Sequence, residues 1–250
     1  MTQEPFKVRL TGSSAGTLDQ VIVQIELVDR AKAAVITPWA WYRGDDLTGT
    51  EILEWTDRSG GAGTLDAIST DGGTGTLKPS AIDSKPGVEG WAQYQATFTA
   101  QTWQQATMVQ VWVSDPSATN WGAIGGPTLF DLLNVWHDFE EIEIQGTWTG
   151  GESAGAMVDF SNTDPHYFVA VRSAGGLDLW LDGAKIATYT GSLTAGGATD
   201  LFLAPTFGVT VAELIVFDRD LDPASDLIDF GDAGTATING YLASRYPSLF

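Results

Sequence analysis

Short segments that alternate or run apolar recur along the whole chain, and most close on a cluster of Gly, Asp, Asn, Ser or Pro. "VIVQIELV" (21–28), "ITPWAWYR" (36–43), "AQYQATFTA" (92–100), "TMVQVWVS" (107–114), "YFVAVRS" (167–173), "LDLWLDG" (177–183) and "AELIVFDR" (212–219) follow this plan. Between such segments lie "RSGGAG", "TDGGTG", "SDPSATN", "GTWTGGES" and "SAGG". A period of two with frequent turns is the pattern of half-buried antiparallel strands, and it leaves little room for long helices. The 29 glycines supply the turns, and Trp, Phe and Tyr supply bulk for a sizeable core.

Helices are expected only near the C-terminus. In "TATINGYLASRYPSLF", Ile238, Tyr241, Leu242 and Arg245 fall at i, i+3, i+4 and i+7, one face that can dock on a sheet, with Pro247 as the stop. Asp222-Pro223 resembles an N-cap with proline at the first helical position, so "DPASDLIDF" is expected to make one or two helical turns. "PTLFDLLNVW" (127–136) reads equally as a short helix or a strand. The reading divides the chain into an N-terminal ribbon, 1–35, and a sandwich domain, 36–250. A two-stranded ribbon is marginal alone and is expected to pair with the main domain or another chain.

Charge removes several partner classes. Twelve Lys and Arg against 32 Asp and Glu leave a net −20, which repels phosphate backbones and anionic membrane surfaces. No nucleic acid partner and no membrane insertion are expected: no apolar run approaches the roughly 18–20 residues of a spanning helix. Without cysteine, disulfides and thiolate metal sites are excluded, and two histidines make a His-rich zinc site improbable. "MTQEPFKVRL" lacks the basic start and apolar stretch of a signal peptide, so a role outside a cell implies exit by lysis, by another route, or within a particle.

"WAWYRGDDLTGTEILEWTDRSGGAG", with Trp55, Asp57, Ser59 and Gly60 in a W-x-D-x-SG turn, resembles the opening of concanavalin A-like lectin/glucanase domains of the laminin-G type. "YFVAVRSAGGLDLWLDGAKIATYTG", turning at Asp182-Gly183, looks like their paired strands, and "AELIVFDRDLDPASD…INGYLASRYPS" like their closing strand, acidic turn and terminal helix. The resemblance covers about 36–248 and implies an all-β fold: a two-sheet antiparallel jelly-roll sandwich with a short C-terminal helix, here with an N-terminal β-ribbon extension. These motifs are structural punctuation and specify fold far better than function.

Three elements carry chemistry. In "FEEIEIQ" (139–145), alternation puts Glu141 and Glu143 on one face, about 6.5–7 Å apart along the strand. Glucanases of the superfamily carry an E-x-D-x-(x)-E strand. Here Gln145 stands where their acid/base carboxylate is expected, and Gln cannot ionise to protonate a leaving oxygen. No catalytic residue is therefore assigned; a solvated acidic strand face is the competing reading. In "SDPSATNWGAIGG", Asp115, Asn120 and Trp121 form the candidate ligand-binding loop, since sugars stack on aromatic faces while amides and carboxylates fix their hydroxyls. The bland alternative has Trp121 capping the core. In "SNTDPHYF", Asn162 and Asp164, with His166 beside them, are candidate ligands for Ca²⁺, which domains of this type commonly hold at a loop edge; an Asx-Pro turn explains the same residues without metal.

These observations imply a non-catalytic recognition or attachment module, of the kind found in phage virions as a fibre, spike or decoration protein. Its expected partners are other virion proteins or itself, as a homo-oligomer through the N-terminal extension, with a cell-surface or environmental glycan as ligand. A secreted polysaccharide hydrolase and a bacterial surface adhesion domain are the alternatives. The acids of "AELIVFDRDLDPASD", spread over strand, turn and helix start, are expected to be fold punctuation.

Overall fold

The computed structural model describes residues 7–9, 22–24, 35–67, 74–89, 94–103, 105–114, 122–124, 132–136, 141–145, 154–157, 164–190, 196–204 and 209–250. The chain forms two compact units, Met1–Val35 and Ile36–Phe250. In the first, Lys7–Arg9 pairs antiparallel with Ile22–Gln24.

Among the described residues, the second unit is a sandwich of two antiparallel sheets. The larger has nine strands, running in space Ala184–Thr190, Gly176–Leu181, Pro165–Ser173, Ala106–Ser114, Val209–Phe217, Lys85–Glu89, Gly75–Ile82 and Glu51–Ile52; Ala40–Arg43 also pairs with Val209–Phe217. The other has eight: Ala154–Met157, Glu141–Gln145, Leu132–Trp136, Gly122–Ile124, Gly196–Ala204, Tyr94–Trp103, Leu65–Ala67 and Glu54–Trp55. Alternation sorts the side chains. Met108, Trp112, Phe168, Leu179, Leu214 and Val216 from the larger sheet meet Trp55, Leu65, Tyr94, Leu201 and Leu203 from the smaller in one core. Val109, Val111, Val169, Ile215 and Phe217 point the other way, into a second core roofed by Phe230, Ile238, Tyr241, Leu242 and Tyr246. The helix Ile238–Arg245 thus lies on the outer face of the larger sheet by its predicted face, capped where the Thr237 hydroxyl accepts from Gly240 N–H.

The W-x-D-x-SG turn shows why its residues occur together. One Asp57 oxygen accepts from the backbone of Trp41 and from Ser59, the other from Ala62 and Gly63. Trp55 Nε1 donates to the Arg43 carbonyl. Gly60 and Gly63 take positive φ, +79° and +83°, where a side chain would be strained. A carboxylate that gathers this many donors pins the loop to the first strand of the domain.

Two local expectations change and one open reading is decided. "DPASDLIDF" forms a hydrogen-bonded turn and no helix. Asp222 accepts from Ala224 N–H and Asp226 accepts from Asp222 N–H, so these side chains satisfy the backbone locally and compete with helix propagation. Ile228–Asp229 then pairs with Thr235–Ala236. In "ITPWAWYR" the strand begins only at Ala40, since Pro38 has no N–H to donate, and Ile36 forms an isolated bridge to Ile228. The ambiguous 127–136 segment holds the strand Leu132–Trp136.

Candidate functional site

The sequence candidates fare differently. Asp115, Asn120, Trp121 and Asn162 lie outside the described residues. Asp164 is exposed just ahead of Pro165–Ser173. His166 is buried, its Nδ1 2.7 Å from Asp182 Oδ2, against Trp112 at a ring separation of 5.8 Å. Asp182 also accepts from Tyr167 N–H through its other oxygen, so this carboxylate ties the Asp182-Gly183 turn to the strand Pro165–Ser173. Glu141, Glu143 and Gln145 lie on a strand whose register sets Glu143 beside Asn134 and Gly155. Among the described residues no group of three or more His, Asp or Glu is arranged to hold a metal ion.

The acids of the closing strand and turn, read from sequence as one run, separate into two places. A β-bulge opposite Val111 and Trp112 shifts the phase of Val209–Phe217. Val209 and Val211 face the sandwich core, as do Leu214 and Val216, while Ala212 turns outward and Glu213 follows it. Glu213 is fully buried there. Its Oε1 accepts from Trp41 Nε1 at 2.6 Å and the Tyr241 hydroxyl at 2.5 Å. Its Oε2 accepts from Arg245 Nε at 2.8 Å and the Tyr246 hydroxyl at 2.7 Å. Arg245 also donates to Asp45, shared with Arg43. Burial pushes the Asp45 carboxyl up, but Arg245 and Arg43 outweigh that and hold it below the usual carboxylate range. Every polar atom of the Glu213 carboxylate is engaged, so this network fastens the helix and offers nothing to a ligand.

Asp218 pairs with Arg219, and Asp220, Asp222 and Asp226 border an open cleft of about 440 Å³. One wall is the Gly176–Leu181/Ala184–Thr190 hairpin, whose alternation buries Leu177, Leu179 and Leu181 and sends Asp178 and Trp180 to the outer face. The opposite wall is the turn after the closing strand, carrying Asp220, Leu221, Asp222 and Asp226. Thr107 ties that turn down, its hydroxyl donating to the Arg219 carbonyl and accepting from Leu221 N–H. Trp180 is half-buried, and Lys185 Nζ sits 5.0 Å from its ring centroid while bonding Asp178 at 2.8 Å. Burial raises Asp178, but Lys185 and the Thr188 hydroxyl prevail and hold it below the usual range. The cleft therefore offers an indole wall beside acceptor oxygens, which suits a ligand with apolar faces and hydroxyl or amine edges. The two walls come from segments far apart in sequence, and the outward positions of Asp178 and Trp180 are the sequence signal for this face.

No protein-family model and no curated protein matches the chain. Among solved structures, the binding domain of botulinum neurotoxin serotype D gives a TM-score of 0.51 at 10% identity, over 74% of this chain and 48% of that one. A Trypanosoma rangeli sialidase gives 0.47 at 10% identity, over 73% and 30%. A Caenorhabditis elegans galectin gives 0.36 at 19% identity, over 49% and 94%. The chain spans about half the length of the toxin domain it matches. That likeness establishes the shared β-sandwich fold.

Proposed function

We propose that the chain is a non-catalytic carbohydrate-recognition module and that the cleft beside Trp180 receives the sugar. The observation that carries the reading is a half-buried indole set among carboxylates in a 440 Å³ cleft. The apolar face of a pyranose stacks on such a ring while its hydroxyls donate to the acids. The binding domain of botulinum neurotoxin serotype D is built on a comparable sandwich, which agrees with recognition without fixing the ligand. Catalysis is not favoured: Gln145 occupies the acid/base position of the glucanase strand, and Asp178 is held low, where a general acid needs to be raised. Trp180→Ala is expected to lower glycan affinity at least ~10-fold, while Trp180→Phe retains most of it. A glycan array followed by calorimetry reads this; equal binding by all three proteins would refute the assignment.

Met1–Val35 is, on this reading, an attachment unit that makes the chain a homo-oligomer or docks it on a virion. Its support is that the segment is compact on its own and contains a two-stranded ribbon, an element marginal without a partner. In its sequence Val21, Val23, Ile25 and Leu27 alternate. Sedimentation should show an assembly for the full chain and a monomer for residues 36–250. The same oligomeric state for both removes the homo-oligomer role.

A further inference from the structure

We infer that the strand Ala184–Thr190 is the docking edge for the N-terminal ribbon of a second copy of this chain, which adds to the larger sheet as a further strand. The inference rests on the homo-oligomer reading of Met1–Val35 above and names the surface that the assembly uses.

The ends of the two sheets are unequal. Among the described residues, the smaller sheet ends in Glu54–Trp55 and Ala154–Met157, two and four residues long, and one end of the larger is Glu51–Ile52, also two. Short edges and edge charges such as Glu51 and Glu54 protect a sheet against strand addition. Ala40–Arg43 has its outer side taken, because Trp41 N–H donates to Asp57 and the Trp41 carbonyl accepts from Arg58 N–H. The other end of the larger sheet differs. Ala184–Thr190 has seven residues, no proline and no acid, and among the described residues it pairs only with Gly176–Leu181. Ala154–Met157 approaches it without forming a ladder. Its one charge, Lys185, is held on the outer face by Asp178 and the Trp180 ring. On the inner face Ile186, Ala187 and Tyr189 pack against the sandwich core yet stay only partly buried. A strand laid along this edge completes their burial while its main chain pairs with the open side.

The chain supplies a strand of the right pattern. In the sequence 21–28, Val21, Val23, Ile25 and Leu27 form one row and Gln24 and Glu26 belong to the other. The first row continues the lip of the core, and the second continues the outer row of Lys185 and Thr188. Charge selects this occupant. Residues 1–35 hold four Lys or Arg and four Asp or Glu, so the net −20 of the chain resides on 36–250. Two sandwich domains brought edge to edge set these like charges against each other, whereas a neutral segment docks without that repulsion. Reciprocal exchange between two copies occupies both edges and closes the assembly as a dimer.

The test uses the full chain, which has no cysteine of its own. One tagged copy carries Gln24→Cys and a second, differently tagged, carries Thr190→Cys; a short bis-maleimide then reports whether the ribbon of one lies along the edge of the other. The cross-linked yield is expected to exceed by at least ~10-fold that obtained with Leu53→Cys, an exposed position at the opposite end of the sheets. Ile186→Lys, which sets a charge at the lip of the core, should raise the dissociation constant of assembly at least ~10-fold in sedimentation, with the circular dichroism of the wild type retained. Assembly with equal cross-linking at Thr190→Cys and Leu53→Cys, or assembly unchanged by Ile186→Lys, overturns this inference and leaves the homo-oligomer reading standing. Two Thr190→Cys copies joining each other in place of Gln24→Cys does the same. A full chain that sediments as a monomer overturns both.

Discussion

Replacing Glu213 with alanine is expected to lower the unfolding temperature by about 10–15 °C. The carboxylate is wholly buried and is the common acceptor for Trp41, Tyr241, Arg245 and Tyr246. Those donors come from the first strand of the domain and from the C-terminal segment, so one side chain ties the two to the closing strand. Removing it leaves the donors of Trp41, Tyr241 and Tyr246 without their acceptor and leaves Arg245, whose side chain is only 9% exposed, with Asp45 and the Tyr246 hydroxyl alone. Breaking a buried pair from one side costs about 3–5 kcal/mol, because the partner's desolvation is no longer offset. For a domain of this size each kcal/mol moves the midpoint by about 2–4 °C. Their own burial first and the Glu213 charge second push Tyr241 and Tyr246 up, and burial lowers Arg245 but the Glu213 charge outweighs it and holds Arg245 above its ordinary value, so the coupling is electrostatic as well as geometric. Glu213→Gln should fall between wild type and alanine, since it keeps the shape and an acceptor but not the charge. Scanning calorimetry and limited proteolysis around 238–250 read the effect. A midpoint within about 2 °C of wild type for the alanine variant would show that the helix is held by apolar packing alone.

How much of this was readable in the sequence depends on how local each signal is. Trp55, Asp57, Ser59 and Gly60 could be read as a turn because all the groups that Asp57 binds, Trp41 apart, lie within six residues of it. The helix face was legible for the same reason: its four marker residues are one helical period apart. Glu213 was not. Strict alternation from Val209 and Val211 puts it on the core face, and only the bulge at Ala212, set by pairing with Val111 and Trp112, sends it outward. No feature of "VTVAELIVF" announces that irregularity. The cleft was hidden by topology: Trp180 and Asp222 are 42 positions apart in sequence and meet because Pro165–Ser173 and Ala106–Ser114 are the strands that separate their elements. The turn at Asp222 was misjudged because its carboxylates serve equally as helix caps and as turn acceptors, and neighbouring backbone decided between them.

Raising the pH beyond about 10 should unfold the protein in one steep step. Five of its six tyrosines, Tyr42, Tyr94, Tyr167, Tyr241 and Tyr246, are buried, and each is pushed up first of all by that burial. Nearby carboxylates push Tyr42, Tyr167, Tyr241 and Tyr246 further: Asp57, Asp182, and Glu213 for the last two. Tyr94 rises least, to about 12. A raised folded value means the native state keeps protons that the unfolded chain releases. The associated stability is complete below the ordinary tyrosine pKa of about 10 and drains away as pH climbs toward the folded values. Each retained proton costs about 1.4 kcal/mol per pH unit in that window, so five together cost roughly 7 kcal/mol per unit. Typical domains have only about 5–15 kcal/mol in total, which places the transition within about one to two units above pH 10. Tyrosinate absorbance and near-ultraviolet circular dichroism, followed together, test this. Five tyrosines should ionise in the same step in which the tertiary signal is lost, and Tyr94→Phe should reduce the steepness by about a fifth. Gradual ionisation of all six with the tertiary signal intact would mean that these hydroxyls reach water in the folded state. It would also mean that the two cores packed on the larger sheet are less closed than their side-chain burial implies.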